Sequence, residues 1–419
     1  MIRFLTAGES HGQALVVIVE GLPAGLEVTV EDISEQLARR RLGFGRGPRM
    51  RFEQDEVTLL AGVRHGRTLG SPVAVEVGNS EWERGKWNVE MSPAPGATTA
   101  PLTKVRPGHA DLAGMQKYGF DDARDVLERA SARETAARVV AGTLARLLLG
   151  HVGVGIVSHV VRIGPVAVTN GYRPTMDDLE TIDSSAVRCG DPVVAADMEQ
   201  AIRDAARDGD SLGGVAEVLA YGLPVGLGSH VHWDRKLDGL LAQALMSIHA
   251  VKAVEIGDGM DLATRRGSEA HDAIVFDAAT GSYQRSSARA GGLEGGITTG
   301  ELLSARVAMK PLATLNRPVL ATVDTATNEA SVSFRERTDV TAVPALGVVA
   351  EAMVALVLAD EAARKFGGDS VVEMVRNARS FAEQVHRQTV ATGGAVAEVE
   401  LNWDEGLAFD GTADASDGA

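Results

Sequence analysis

Cysteine is nearly absent from this 419-residue chain. Cys189 stands alone, so no intramolecular disulfide can form, and a reducing cytoplasm is the matching expectation. Aromatic residues make up only 4% of the chain, too few to suggest an aromatic binding surface. Positive charge is in deficit as well. A formal net charge of -16 disfavours a nucleic-acid partner. No uninterrupted apolar run of about 18 residues occurs, and Ser10, His11 and Gln13 break the opening stretch. Neither a membrane span nor a signal peptide is therefore expected. The G-x-G-x-x-G fingerprint of a dinucleotide-binding βαβ unit is missing. His230 and His232 lack an organised third ligand, so no metal is expected.

What is plentiful is glycine, at 47 residues, in an otherwise ordinary globular composition of 45% hydrophobic and 23% charged residues. Many of those glycines fall in a repeat. "GESHGQALVVIVEGLPAGL" (8–26) and "GDSLGGVAEVLAYGLPVGL" (209–227) align without gaps and share nine of nineteen positions. Each copy reads as a glycine-rich turn, a strand, then a Pro-Gly turn. A helix follows each: "VTVEDISEQLARRRLG", with Thr29 as N-cap, and "WDRKLDGLLAQALMSIHAV". "GVRHGRTLGSPVAVEV" (62–77) matches "GLEGGITTGELLSARV" (292–307) more faintly, and an apolar helix closes each half. The pattern predicts an α+β fold of two pseudo-equivalent halves, about 1–150 and 205–365, forming one domain over 1–365. A strand-like run from 153, a helix around 191–207, a C-terminal helix within 366–400 and an acidic, disordered tail at 401–419 complete the expectation.

Gly8-Glu9-Ser10-His11-Gly12 fits G-x-S-x-G, which would make Ser10 a hydrolase nucleophile. The frame recurs around Ser211 and precedes a strand rather than following one, so the turn reads as structural. His11 is what the two copies do not share, since Leu212 replaces it. "RRRLGFGRGPRMR" crowds Arg39, Arg40, Arg41, Arg46, Arg49 and Arg51 without an acid among them. Such a cluster suits a small polyanion held by guanidinium forks, or else a loop paired with acids from elsewhere. "RASARET" offers a capping box, Ser131 to Glu134, flanked by Arg129 and Arg133: a second anion site or plain capping. His109, near Arg106 and Asp111, is a candidate proton donor to a bound anion, or a solvated loop histidine. Lys310, Arg337 and Asp339 lie in turn-rich stretches of the second half. These residues alone lead to acid–base chemistry on a phosphorylated small anion, or to a non-catalytic binder of one.

Taken in order, "GESHG", "RRRLGFGRGPRM", "RPGHADLAGMQKYGFDDARDVLERASARETAARV", "GDSLGGV", "WDRKLD", "KAVEIGDG", "AGGLEGGITTG", "MKP" and "RTDVTAVPA" resemble chorismate synthase over residues 1–365, and "ERASARET" looks most like actinobacterial members. The resemblance implies a β-α-β sandwich with a pseudo-twofold duplication, assembled as a homotetramer. It implies anti-1,4-elimination of phosphate from 5-enolpyruvylshikimate 3-phosphate to chorismate, at the end of the shikimate pathway. Reduced FMN is required there without net redox change. By position, the catalytic residues are His11, beside the flavin, His109, at the departing phosphate, and Asp339, facing the flavin N5 that takes the C6 proton. Ser10, Arg40, Arg46, Arg49, Arg106 and Arg133, with Lys310, become the substrate clamp. FMN contacts fall on Arg129, Ala130, Ser131, His249, Ala250, Gly295, Lys310, Pro311, Leu312, Ala313, Thr314 and Arg337. Some descriptions of the family place NADP at the positions of Arg40 and Arg46, which makes NADPH a candidate flavin reductant. No separate reductase domain is visible, so an external flavin reductase is a candidate partner. Three positions depart from the family habit. Leu312 stands where Thr or Ile is common and Ala313 where Ser is, which removes one or two hydroxyls; His249 stands for Asn or Gln, and Thr341 stands for Cys.

Overall fold

The computed structural model describes residues 1–46, 55–82, 85–96, 99–333 and 339–391. Arg49, Arg51, Arg337 and the expected tail at 401–419 lie outside them. One antiparallel sheet is built from β1 (Arg3–Ala7), β2 (Ala14–Glu20), β3 (Asp55–Ala61) and β4 (Val73–Asn79), in the order β1-β2-β4-β3. A second is built from β5 (Gly155–Ile163), β6 (Gly214–Tyr221), β7 (Val251–Ile256) and β8 (Leu303–Met309), in the order β7-β8-β6-β5, with Val166–Ala167 added at the β5 edge. Read from the other end, β5-β6-β8-β7 repeats the connectivity β1-β2-β4-β3. The duplication seen in the sequence is thus a duplication of topology.

The helices are α1 (Val30–Arg41), α2 (Asp111–Tyr118), α3 (Thr135–Gly150), α4 (Pro192–Asp208), α5 (Leu237–Met246), α6 (Val343–Phe366) and α7 (Val371–Ala391). They occupy the same places in the two halves. Helix α1 packs on β3 and α3 on β2, while α5 packs on β7 and α6 on β5 and β6. Helices α3 and α6 then lie against each other between the sheets, which gives the expected sandwich. Along β2 the inward residues Leu15, Val17 and Val19 are buried, and so are Val73, Val75 and Val77 along β4. This is the period-two pattern of a sheet covered on one face. Helix α6 is long and apolar enough to cross a membrane by length and composition, but 89% of its apolar window is buried inside the fold. It is the core helix, apolar all round because it is covered all round.

Small details carry the twofold further. Short hairpins, Val63–Arg64 with Arg67–Thr68 and Leu293–Glu294 with Ile297–Thr298, sit before β4 and β8. In each, a buried threonine hydroxyl pins the Pro-Gly turn. Thr68 donates to the Pro23 carbonyl at 2.6 Å and accepts from Leu26 N–H at 2.9 Å. Thr298 does the same to Pro224 at 2.7 Å and Leu227 at 2.8 Å. Thr29 caps α1 in a reciprocal capping box with Asp32.

At 131–134 the expected box does not form. Ser131 caps a 3-10 turn, Ala132–Glu134, by accepting from the Arg133 N–H at 3.3 Å. The Glu134 carboxylate is taken instead by the Thr6 hydroxyl and by Arg138 Nε, each at 2.8 Å. Charged and hydroxyl partners from β1 and the next helical turn outcompete the return bond to Ser131.

Candidate active site

Two histidine centres form where loops of the halves meet. In the first, residues 128–131 fasten onto the turn before β2. Ser10 N–H donates to the Glu128 carbonyl at 2.9 Å, and His11 N–H donates to the Glu128 carboxylate at 3.0 Å. Both carboxylate oxygens lie within 3.0 Å of His11 Nδ1. Arg129 donates to the carbonyls of Gly8 and Thr6 at 2.9 and 2.8 Å, and the Ser131 hydroxyl donates to Ser10 Oγ at 3.1 Å. Trp87 stacks on the His11 ring, with centroids 3.7 Å apart and planes 17° from parallel.

The second centre is a loop that α2 closes. Asp111, wholly buried, receives Arg106 Nε at 2.9 Å and Arg106 N–H at 3.0 Å, and lies 2.5 Å from His109 Nδ1. Burial alone would raise the Asp111 carboxyl. Hydrogen bonds from His109 and Arg106, with the Arg106 charge, overcome that and hold it well below the usual carboxylate range. A carboxylate that stays ionised only accepts, so His109 Nδ1 carries the proton and Nε2 is left to act.

The second half reaches this loop through residues 310–325. Lys310 Nζ donates to the Gly108 carbonyl, and Arg106 Nη1 donates to Thr314 Oγ1 at 3.4 Å. The Ser211 hydroxyl donates to the Leu312 carbonyl at 2.8 Å. Gly213 lets the main chain pass, since a Cβ there would sit 2.3 Å from the Met309 carbonyl oxygen. The second copy of the turn therefore serves the site by holding the 310–314 loop. Ala313 lies against Gly108, and Pro311 lies against Gly213.

His249 and Ala250 follow α5, with Ala250 in the left-handed region at φ 64°. Burial pushes the His249 imidazole below its ordinary range. Glu134 opposes this, while the charges of Arg138, Arg129 and His109 add to it. His249 therefore feels both centres. Its Nδ1 is buried without a hydrogen bond among the described residues, and the nearest Glu134 oxygen is 3.8 Å away.

Several arginines are engaged by the protein itself. Arg133 is buried, paired with Asp55 and donating to Asn79 Oδ1 at 3.0 Å. Arg39 reaches Glu351 at 2.8 Å, Arg41 reaches Asp55 at 3.5 Å, and Arg46 reaches Asp339 at 3.2 Å. For these residues the acids do come from elsewhere. Arg40, also buried, donates to Thr135 Oγ1 at 2.9 Å and the Ala132 carbonyl at 3.0 Å. Arg129 is committed to β1, and Ala130 N–H to the Val126 carbonyl at 3.0 Å. Gly295 sits at a hairpin tip beside His230, and among the described residues none of its hydrogen bonds reaches either centre. A cleft of about 870 Å³ between α7 and residues 24–27 is lined by Arg67, His151 and Arg376 and by none of the candidate residues. Glu128 and Trp87 were given no role by the sequence reading, although Glu128 opens the quoted "ERASARET". The one available signal was Glu128's place immediately before Arg129.

The family model for chorismate synthase matches residues 2–363, which takes in both centres and both sheets. The chain belongs to the chorismate synthase family. Chorismate synthases of Salinispora tropica and Streptomyces coelicolor are each 60% identical to it, over 390 and 393 residues. Those alignments cover 91% and 92% of this chain and 98% of each relative. That of Leifsonia xyli is 57% identical over 400 residues, covering 94% of this chain and 98% of its own. A crystal structure of a chorismate synthase superposes with a TM-score of 0.74 at 39% identity, covering 92% of this chain and 98% of that one. The enzyme is thus a carbon–oxygen lyase that eliminates phosphate from 5-enolpyruvylshikimate 3-phosphate to give chorismate. Neither a serine hydrolase built on Ser10 nor a non-catalytic binder is favoured. For a chorismate synthase, the pairing of basic loops with two histidines suits a substrate bearing a phosphate and two carboxylates.

Proposed function

We propose that elimination proceeds between the two centres, with reduced FMN bound across the junction of the halves. The observation that carries this reading is the convergence on one region of loops from both halves: 6–11, 106–111, 128–134, 249–250 and 310–314. Arg106, Lys310 and Arg40 would draw in the anionic substrate, with Ser10 as a hydrogen-bond partner and Arg46, Arg49 and Arg133 completing the electrostatic field. With Nδ1–H held by Asp111, His109 would carry a second proton on Nε2 and give that one to the departing phosphate. His11 would hold the proton at its own Nε2 beside the cofactor. Asp339, paired with Arg46, would stand by the flavin nitrogen that takes the C6 proton.

The residues fit FMN in chemistry. The orphaned His249 Nδ1 awaits a polar partner, and Ser131, Lys310 and Thr314 supply donors nearby. Arg129, Ala130, Ala250, Gly295, Pro311, Leu312, Ala313 and Arg337 would complete that contact set. Bound reduced FMN would supply electron density as phosphate leaves and recover it afterwards, with no net redox change. NADPH, at Arg40 and Arg46 or through an external flavin reductase, would keep it reduced.

A homotetramer in the cytoplasm is the proposed setting. The outer face of the first sheet supports association, because Leu5 and Ile18 lie opposite each other there, 72% and 42% exposed among the described residues. The test is an anaerobic assay with 5-enolpyruvylshikimate 3-phosphate and dithionite-reduced FMN. Stoichiometric chorismate and phosphate are expected. No product from folded protein would refute the reading.

A further inference from the structure

Glu128 does more for His11 than any fold requirement explains. Its carboxylate is 1% exposed and meets His11 twice, at the backbone N–H and at ring Nδ1. Its carbonyl takes the preceding N–H, that of Ser10. The matching turn of the second half shows what folding alone needs. There Leu212 replaces His11, and its N–H goes to the Val340 main-chain carbonyl at 2.8 Å. The carboxylate in that turn, Asp210, accepts the Ser211 N–H at 2.8 Å, and the Leu212 position is met by a carbonyl. The carboxylate in the first half therefore answers to the imidazole.

Its other neighbours agree. Arg124 Nη1 donates to Glu128 Oε1 at 3.4 Å, and Arg124 is itself 3.3 Å from Glu90. Trp87 covers the ring face and fixes its plane. With two donors already on it, the Glu128 carboxylate acts as acceptor, which places the His11 ring proton on Nδ1. Nε2 then points away from Glu128, with the Glu81 carboxylate 3.8 Å off. We propose that Glu128 is the positioning residue of His11, holding Nδ1 protonated and leaving Nε2 as the atom that exchanges its proton in the reaction. The proposal rests on the reading of His11 as a catalytic group.

Among the described residues, Glu128 and Glu81 face His11, with Arg124 across Trp87 and Lys86 over the same ring. Removing one of the two carboxylates removes an acceptor and a negative neighbour. Two measurements on Glu128→Gln, with Glu128→Asp and His11→Ala beside it, test this. One is the pH profile of kcat and of KM with reduced FMN. The other is the ¹⁵N NMR tautomer state and titration of His11 in the cofactor-free protein.

For Glu128→Gln we expect kcat to fall about tenfold to a hundredfold with KM within about threefold. The Nδ1–H tautomer should lose its dominance, because the acceptor that holds that proton is gone. Glu128→Asp should recover part of each loss, with melting temperature and oligomeric state showing both variants folded. An unchanged tautomer in Glu128→Gln overturns the proposal whatever the activity. So does a wild-type kcat in Glu128→Gln when His11→Ala is slow. A wild-type rate in His11→Ala overturns the catalytic reading of His11, and with it any catalytic purpose for Glu128.

Discussion

His109 reaches the site with one nitrogen already spoken for, and that commitment makes its role testable. Asp111 stays ionised far into acid because Arg106 and His109 both donate to it, so His109 keeps its Nδ1–H whatever happens at Nε2. His109→Ala and His11→Ala should each lower kcat roughly tenfold to a thousandfold, the range of positioned acid–base groups, with the fold intact by circular dichroism. A wild-type rate in either variant would remove that residue from the mechanism. His249 is a different kind of histidine. Burial pushes its imidazole below the ordinary range, so at neutral pH it stands uncharged. The unfolded chain would take up a proton near pH 6.5 that the folded one refuses. Stability should therefore decline as pH falls through that value, and His249→Asn should remove this part of the slope in urea titrations between pH 7 and 5. An unchanged slope would mean that His249 titrates normally.

At the scale of elements, the helix pair α3 and α6 carries the pseudo-twofold contact, and Gly142 is what lets it close. A Cβ at Gly142 would lie 2.3 Å from Ala352 Cβ and 2.5 Å from its Cα, both on the facing helix. Gly142→Val should destabilise the protein by roughly 1–3 kcal/mol through overpacking, seen as a lower urea midpoint. Ala352→Gly in the same chain should restore part of the loss. No loss in the single variant would show that the helices separate freely. The same scale shows what the sequence made legible. Two copies of a Gly-x-Ser-x-Gly turn and a Pro-Gly turn predicted repeated strands, and the matching sheet orders follow from them. Thr68 and Thr298, faint in the alignment, turn out to make identical hydrogen bonds. Hidden from the sequence were the pairings between distant segments. Glu128 meets His11 across 117 residues and Arg133 meets Asp55 across 78, and no local period encodes such contacts. The capping box misread at Ser131 has the same origin, since Thr6 on a distant strand claims Glu134. The arginine cluster was visible as charge, but which arginines face a ligand and which face internal acids depends on the tertiary fold.

For the whole molecule, the halves and the segment between them meet at one buried charge cluster. Arg39 from α1, Arg146 from α3 and Arg188 from the intervening segment converge on Glu351 of α6. Ser158 of β5 donates to the same carboxylate at 2.7 Å, and Asp183 pairs with Arg39 and Arg188. Burial would raise the Glu351 carboxyl, yet the three guanidinium charges hold it down at about 2. Its folded value is thus depressed below the ordinary 4.5. Its contribution is present above that ordinary value and is lost as pH falls from about 4.5 towards 2. Glu351→Gln leaves three buried cations facing one another with Asp183 as their remaining acid in the cluster. Removing one partner of a buried ion pair costs about 3–5 kcal/mol, because the charges left behind are desolvated and unpaired. The variant should unfold at markedly lower urea at pH 7, while its stability should fall less steeply between pH 4.5 and 2 than that of the parent. Parallel acid limbs in the two proteins would mean that Glu351 is not the group that ties the halves together through its charge. A hydrophobic replacement of the whole cluster would then be expected to fold as well as the ionic one.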